Sequence, residues 1–215
     1  MSLPLRILVV DDHPVVRDGL ATVLELQDDI QVVGKAACVD SAIDAQRRLL
    51  PDVTLLDFQL GRGTAVDVLE GCGKLGLEVS AIVLSTYDGP WHIYRCLRAG
   101  ARSFVLKEMA QEVVLDAIRS LHRGLRYIPP EIADRAAEAM TLDALTAREL
   151  DVLQSMAEGH SNRSIAKHLG IGEGTVKTHV NSLLSKMQAE SRTEAVIRAF
   201  RLGLARLDDA RLRAH

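Results

Sequence analysis

The first 123 residues change hydrophobic period again and again, and that alternation limits the fold more than anything else in the chain. Short β-rich runs stand at Arg6–Val10, Ile30–Ala36, Val53–Leu56, Ala81–Leu84 and Ser103–Leu106. A helical pattern follows each run: Val16, Leu20, Val23 and Leu24 share one face, and Val114, Ala117, Ile118 and Leu121 share another. Five strands alternating with five helices require a parallel sheet covered on both faces. Right-handed crossovers then give an open, doubly wound α/β sandwich whose crevice lies at the carboxyl ends of the strands. From Gly124 the pattern loosens, and Pro129-Pro130 stops any continuing helix. Glu131–Met140 has room for a short helix, and after Thr146 every periodic segment is helical. The expected organisation is an α/β domain over 1–123, a linker over 124–143, an all-α domain over 144–206 and a tail over 207–215.

Bulk properties narrow the classes. No apolar run approaches the roughly 20 residues that cross a bilayer. Ile7–Val10 runs straight into Asp11 and Asp12, which a secretory leader would not do. The three cysteines, Cys38, Cys72 and Cys96, are odd in number and lack metal-ligand spacing, so buried thiols in the cytoplasm are expected. Aromatics make up only 3% of the chain, which argues against a base-stacking platform for single strands. The net charge of −3 divides into −5 over residues 1–140 and +2 over 141–215, suggesting different partners for the two parts.

The chemistry gathers where the strands end. Strand one runs into Asp11-Asp12 and strand three into Asp57, and in a parallel sheet with adjacent central strands these meet on one edge. Three converging carboxylates repel unless a cation neutralises them, and hard oxygen donors suit Mg²⁺. Strand four ends at Ser85 and strand five at Lys107, adding a hydroxyl and an ammonium. A lone aspartate at a strand end is usually a cap or a solvated loop residue, but five such groups on one rim suit phosphoryl transfer with the carboxylate as nucleophile.

At this point the chain resembles the receiver domain of response regulators, over roughly residues 5–123, through ILVVDDHPVVRDGL, VTLLDFQL, IVLSTYD and AGARSFVLKEM. The resemblance implies a CheY-like, flavodoxin-like receiver in which Asp57 accepts phosphate from a cognate histidine kinase. It further implies that Asp11, Asp12, Asp57 and the Gln59 carbonyl hold Mg²⁺, that Lys107 pairs with the phosphoryl oxygens, and that Ser85 and Phe104 act as the switch. His13-Pro14 also matches the subfamily; an oxygen site needs no soft donor, so His13 is not read as a ligand. Many receivers carry a proline shortly after the phosphorylated aspartate, whereas this chain has Gly61-Arg62-Gly63. Two glycines lower the cost of rearrangement, so a more mobile loop is expected, and a regulator working with little or no phosphorylation is the alternative.

In the C-terminal part, Thr146-Ala147-Arg148-Glu149 fits a capping box, with Leu150, Leu153 and Ala157 on one face of the helix it opens. Ser161 caps a second helix, Gly170 turns the chain, and a third helix buries Val176, Val180, Leu183, Leu184 and Met187. Its opposite face offers Thr175, Lys177, Thr178, Asn181 and Ser185, a set that suits a major groove. Arg163, Lys167 and Lys186 are expected to help with phosphates. On helix geometry alone, a plain bundle with a solvated face reads equally well.

The stretch LTARELDVLQSMAEGHSNRSIAKHLGIGEGTVKTHVNSLLSKM, followed by SRTEAV, resembles the LuxR/FixJ-type helix-turn-helix domain over roughly 142–206. That resemblance implies a four-helix module in which Lys177, Thr178 and Asn181 face base edges of double-stranded DNA, and a last helix near Arg192–Leu202 that pairs two subunits. A lysine or arginine often stands where Asn181 does, so base preference is expected to differ. Receiver followed by this module is similar to the NarL/FixJ class, a cytoplasmic transcription factor that forms a homodimer when phosphorylated. Residues 91–100 and 110–123 would carry the change. Two rivals remain on sequence grounds. A phosphatase of the haloacid dehalogenase type would want an aspartate where Gln59 stands, and a ligand-sensing regulator would want a deep apolar pocket.

Overall fold

A computed structural model describes residues 3–109, 111–140 and 145–205. The chain divides into two compact units, one carrying the sheet and the other carrying the C-terminal helices. The expected linker end at 141–143, residues 144 and 206, the tail at 207–215, and Ala110 lie outside the described residues.

In the first unit, β1 (Leu5–Val10), β2 (Ile30–Ala36), β3 (Val53–Asp57), β6 (Ala81–Ser85) and β7 (Ser103–Leu106) form one parallel sheet. The spatial order is β2-β1-β3-β6-β7, the flavodoxin-like doubly wound order, which reverses direction beside β1 and β3. The central strands are apolar along their whole length because both faces are covered: every residue of β3, β6 and β7 is buried. Helices α1 (Pro14–Glu25) and α5 (Gln111–His122) cover Ile7, Val9, Leu55, Ile82 and Val105. Helix α2 (Val39–Leu49) covers the other face so closely that a Cβ on Gly34 would stand 2.4 Å from Leu49. Helices α3 (Ala65–Lys74) and α4 (Pro90–Arg98) complete the alternation along the chain, although Gly89–Tyr94, with the start of α4, groups with the second unit.

The expected faces hold unevenly. Ala117, Ile118 and Leu121 of α5 are buried as anticipated. On α1, Leu24 is buried with Ala21, whereas Val16 is exposed. Leu20 and Val23 are half-buried against Val114 and Leu115 in an apolar cleft. Val16 sits in the first turn of α1, next to the sheet's carboxyl edge where β1 has just ended.

Helix α6 (Pro130–Met140) opens at the second of the paired prolines, a favourable first helical position. The second unit then holds α7 (Ala147–Ala157), α8 (Asn162–Leu169), α9 (Glu173–Lys186) and α10 (Arg192–Leu202). The Thr146–Glu149 capping box is present, and Ser161 and Ser191 cap α8 and α10 through their hydroxyls. Gly170 takes the left-handed conformation (φ +65°) that ends α8 and lets the chain turn into α9. Val152, Leu153, Met156, Ile165, Val176, Val180, Leu183 and Met187 fill the core of this bundle. On α7 the buried face runs through Val152, Leu153 and Met156, with Leu150 and Ala157 at its border.

Candidate functional site

The sheet register assembles the rim of the first unit. Val10 lies opposite Leu56, so Asp11 and Asp57 leave adjacent strands side by side at the point where strand order reverses. Asp57 in turn lies opposite Leu84, and Ser85 opposite Leu106, which brings Ser85 and Lys107 to the same edge. Backbone bonds lock the corner: Phe58 N donates to Leu84 O at 2.8 Å, and Lys107 N donates to Ser85 O at 2.8 Å.

Side chains then converge. Lys107 Nζ stands 2.8 Å from Asp11 Oδ2 and 2.9 Å from Asp57 Oδ1, joining two carboxylates that are almost wholly buried. One oxygen each from Asp11, Asp12 and Asp57 and a ring nitrogen of His13 fall within 4.8 Å of one another. Burial pushes the Asp57 carboxyl up; Lys107 pulls it back, while Asp11 and Asp12 add to the rise, and the net direction is upward. Burial pulls the Lys107 ammonium down, but its bonds to Asp11 and Asp57 more than offset this and raise it. One ammonium therefore bridges two of the three clustered carboxylates, and the cluster is short of positive charge.

Past Asp57 the chain makes a small hairpin, β4 (Gln59–Leu60) against β5 (Gly63–Thr64). Gly61 has φ +61° and Arg62 does not share the positive φ, the pattern of a type II′ turn with glycine at its first central position. Gly61 N donates to Asp12 Oδ2 at 3.0 Å. A Cβ on Gly63 would stand 2.5 Å from Val39, so this glycine allows the hairpin to lie against α2. Both glycines of the loop that looked mobile in sequence thus have a geometric purpose. Ala65 N donates to Phe58 O at 2.9 Å, so the alternating ladder turns the Gln59 carbonyl outward from the hairpin.

Asp12 supplies the test of whether a dication suits this cluster. Its Oδ1 is buried and makes no hydrogen bond, and although His13 Nδ1 is only 2.8 Å away, the ring is not turned to donate to it. A buried carboxylate oxygen without a donor is costly, and a cation removes the cost. The donor set fits.

Ser85 Oγ accepts the Tyr87 N–H at 2.9 Å, which holds the hydroxyl on the rim. Phe104 lies on β7 opposite Val83 and is fully buried.

In the second unit, Arg163, Lys167, Thr175, Lys177, Thr178 and Asn181 are all exposed, as a surface that meets a ligand requires. Thr178 Oγ1 donates back to Gly174 O at 3.2 Å, and Lys177 Nζ stands 3.5 Å from Glu173. Lys186 differs. Its ammonium is 2.9 and 2.7 Å from the two oxygens of Glu149, a carboxylate only 3% exposed. Ser182 Oγ donates to Glu149 Oε1 at 2.6 Å, and Thr146 N and Oγ1 donate to Oε2 at 2.7 and 3.0 Å. Burial would raise the Glu149 carboxyl, yet Lys186, Ser182 and Thr146 together hold it down at about 2. The capping-box spacing revealed Thr146–Glu149; the inward partners from α9, 33 and 37 residues away, left no local signal.

A carboxylate cluster at the switch point of a doubly wound sheet, followed by a capped helix-turn-helix bundle, defines a receiver joined to a DNA-binding module. Comparison with known proteins agrees for both parts. Residues 7–119 match the response regulator receiver domain, and residues 143–199 match the bacterial regulatory proteins of the luxR family. The chain is 36% identical over 203 residues to the nitrate/nitrite response regulator protein NarP of Escherichia coli, covering 91% of this chain and 94% of NarP. It is 35% identical over 207 residues to the response regulator protein VraR of Staphylococcus aureus, covering 94% and 99%. Among solved structures it resembles the response regulator ChrA of a heme-sensing two-component system (TM-score 0.55, 33% identity, 94% and 98% covered). In fold it also resembles RcsB of Salmonella enterica serovar Typhimurium, solved on promoter P1flhDC with the phosphomimetic BeF₃⁻ (TM-score 0.67, 23% identity, 93% and 98% covered). The chain belongs to the NarL/FixJ family of two-component response regulators, DNA-binding transcription regulators with a LuxR-type helix-turn-helix. No described helix is long and apolar enough to cross a membrane.

Proposed function

We propose that Asp57 accepts a phosphoryl group from a cognate histidine kinase in the cytoplasm and that its phosphorylation controls dimerisation and DNA binding. The observation that carries this reading is the Lys107 ammonium bridging Asp11 and Asp57 within a cluster short of positive charge. Asp57 attacks the phosphorus as the nucleophile, and the bond to the kinase imidazole nitrogen breaks. Mg²⁺ held by Asp11, Asp12, Asp57 and the Gln59 carbonyl would neutralise the approaching phosphoryl oxygens. Lys107 turns from Asp57 Oδ1 to a phosphoryl oxygen, exchanging one charge-assisted bond for another. Ser85 gives up the Tyr87 N–H and donates its hydroxyl proton to the same group, and Phe104 keeps the space behind it filled. Beyond its own phosphorylation and dephosphorylation the chain carries out no chemistry.

The phosphoryl group brings about −1.5 to −2 charge and three acceptor oxygens. Surfaces over 91–100 and 110–123 then rearrange, and α10 pairs two subunits. On DNA, Lys177, Thr178, Asn181 and Thr175 meet base edges from the exposed face of α9, with Arg163 and Lys167 on phosphates. The Lys186 ammonium, committed to Glu149, sets the pose of α9 and does not add a phosphate contact. Radiolabelled acetyl phosphate with Mg²⁺ tests the core of this reading. Wild type is labelled and shifts to a dimer by light scattering; an unlabelled wild type, or labelled Asp57→Asn, sinks it.

A further inference from the structure

His13 opens α1 at a position where Ser, Thr, Asp or Asn would cap the helix, yet its ring makes no capping bond. Pro14 behind it keeps His13 extended (φ −87°, ψ 112°), and the imidazole turns to the carboxylates instead. Its Nδ1 is 2.8 Å from Asp12 Oδ1 and 3.5 Å from Asp11 Oδ1, and one of its ring nitrogens lies within 4.8 Å of an Asp57 oxygen. The two shorter separations are those of adjacent donors around one cation, and a small movement would close the third. Ligands about 2.1 Å from a metal stand about 3.0 Å apart when adjacent and about 4.2 Å apart when opposite. Asp12 Oδ1, buried beside the ring without a hydrogen bond, is the oxygen such a cation would share with it.

We propose that His13 is a fourth protein ligand of this cluster, through which the site takes a first-row transition dication such as Co²⁺ or Zn²⁺ in competition with Mg²⁺. The inference rests on reading Asp11, Asp12 and Asp57 as a dication site and adds a nitrogen donor to it. Mg²⁺ prefers oxygen and gains little from an imidazole, whereas Co²⁺ and Zn²⁺ bind imidazole well. The nitrogen donor thus widens the metals that hold the site. His13 is 70% exposed in its side chain, so replacing it leaves the core untouched.

The test titrates Co²⁺ and Mg²⁺, each alone, into the full chain and into His13→Ala and Asp12→Asn. Co²⁺ binding is read by visible absorption and by an exchangeable, hyperfine-shifted imidazole proton. Wild type should show that proton, and His13→Ala should lose it and weaken Co²⁺ at least about tenfold. Mg²⁺ affinity should move less than about twofold in the same variant. Asp12→Asn should abolish both metals, which assigns the signal to this cluster. If His13→Ala keeps wild-type Co²⁺ affinity and the imidazole proton while Asp12→Asn loses the metal, His13 is no ligand, and the dication site stands without it. If wild type binds neither metal, the dication site itself falls, and His13 with it.

Discussion

Both units bury a carboxylate against a lysine, and the two arrangements differ in one respect. In the helical unit Glu149 receives Lys186, Ser182 and Thr146, so nearly every lone pair is answered and the acid is held at about 2. On the sheet edge Lys107 serves Asp11 and Asp57 together, Asp12 keeps a buried oxygen without a donor, and the Asp57 carboxyl is pushed up. Burial and a lysine partner are common to both. Incompleteness separates them: a saturated carboxylate fixes structure, and an unsaturated cluster is what the proposed cation and phosphoryl group would complete.

The largest expected effect tests that distinction directly. Asp57→Asn should lose phosphodonor labelling altogether while the chain stays folded by circular dichroism; labelling that persists would place the reactive carboxylate elsewhere. Acid should then strike the other region. Glu149 has its folded value lowered from 4.5 to about 2, so its contribution is present above about 4.5 and disappears as pH falls toward 2. The helical unit should lose on the order of 3 kcal/mol across that window. Urea titrations followed through amide signals of Leu153 and Leu183 would read this, and a flat profile would remove Glu149 from the fold's support.

Lys186→Ala should cost about 2 kcal/mol by leaving Glu149 buried without its cation, with the salt dependence of DNA binding unchanged. Arg163→Ala should do the reverse, lowering the salt slope by about one with little change in stability. A Lys186 variant that lowers the slope would make it a phosphate contact after all. The smallest change carries the opposite sign to Lys186→Ala. Asp12→Asn in metal-free buffer should raise stability by about 1 kcal/mol, because it removes one of three repelling charges. A loss there would mean that the cluster is already satisfied.

These contrasts also explain what the sequence made legible. The central strands were readable because a parallel strand covered on both faces is a continuous apolar run, and their ends marked the rim within a residue. The hairpin at Gln59–Thr64 was not, since two-residue strands have no periodicity, and its glycines suggested mobility when one makes a turn and the other a close approach. Lys186 sits on the flank of α9, where a helical wheel does not reveal its bond to Glu149. Val16 misled for a different reason: a helix face continues beyond the surface it packs on.

The strand order has a consequence for how the chain is born. Asp11 and Asp57 are already neighbours once β1 and β3 pair, but Lys107 follows β7, 96 residues after Asp11. A nascent or partly unravelled sheet without β7 holds its acids together with no Lys107 ammonium between them, so the arrival of β7 relieves their repulsion. This corner should therefore be among the last parts of the molecule to form, behind the local contacts of the helical bundle.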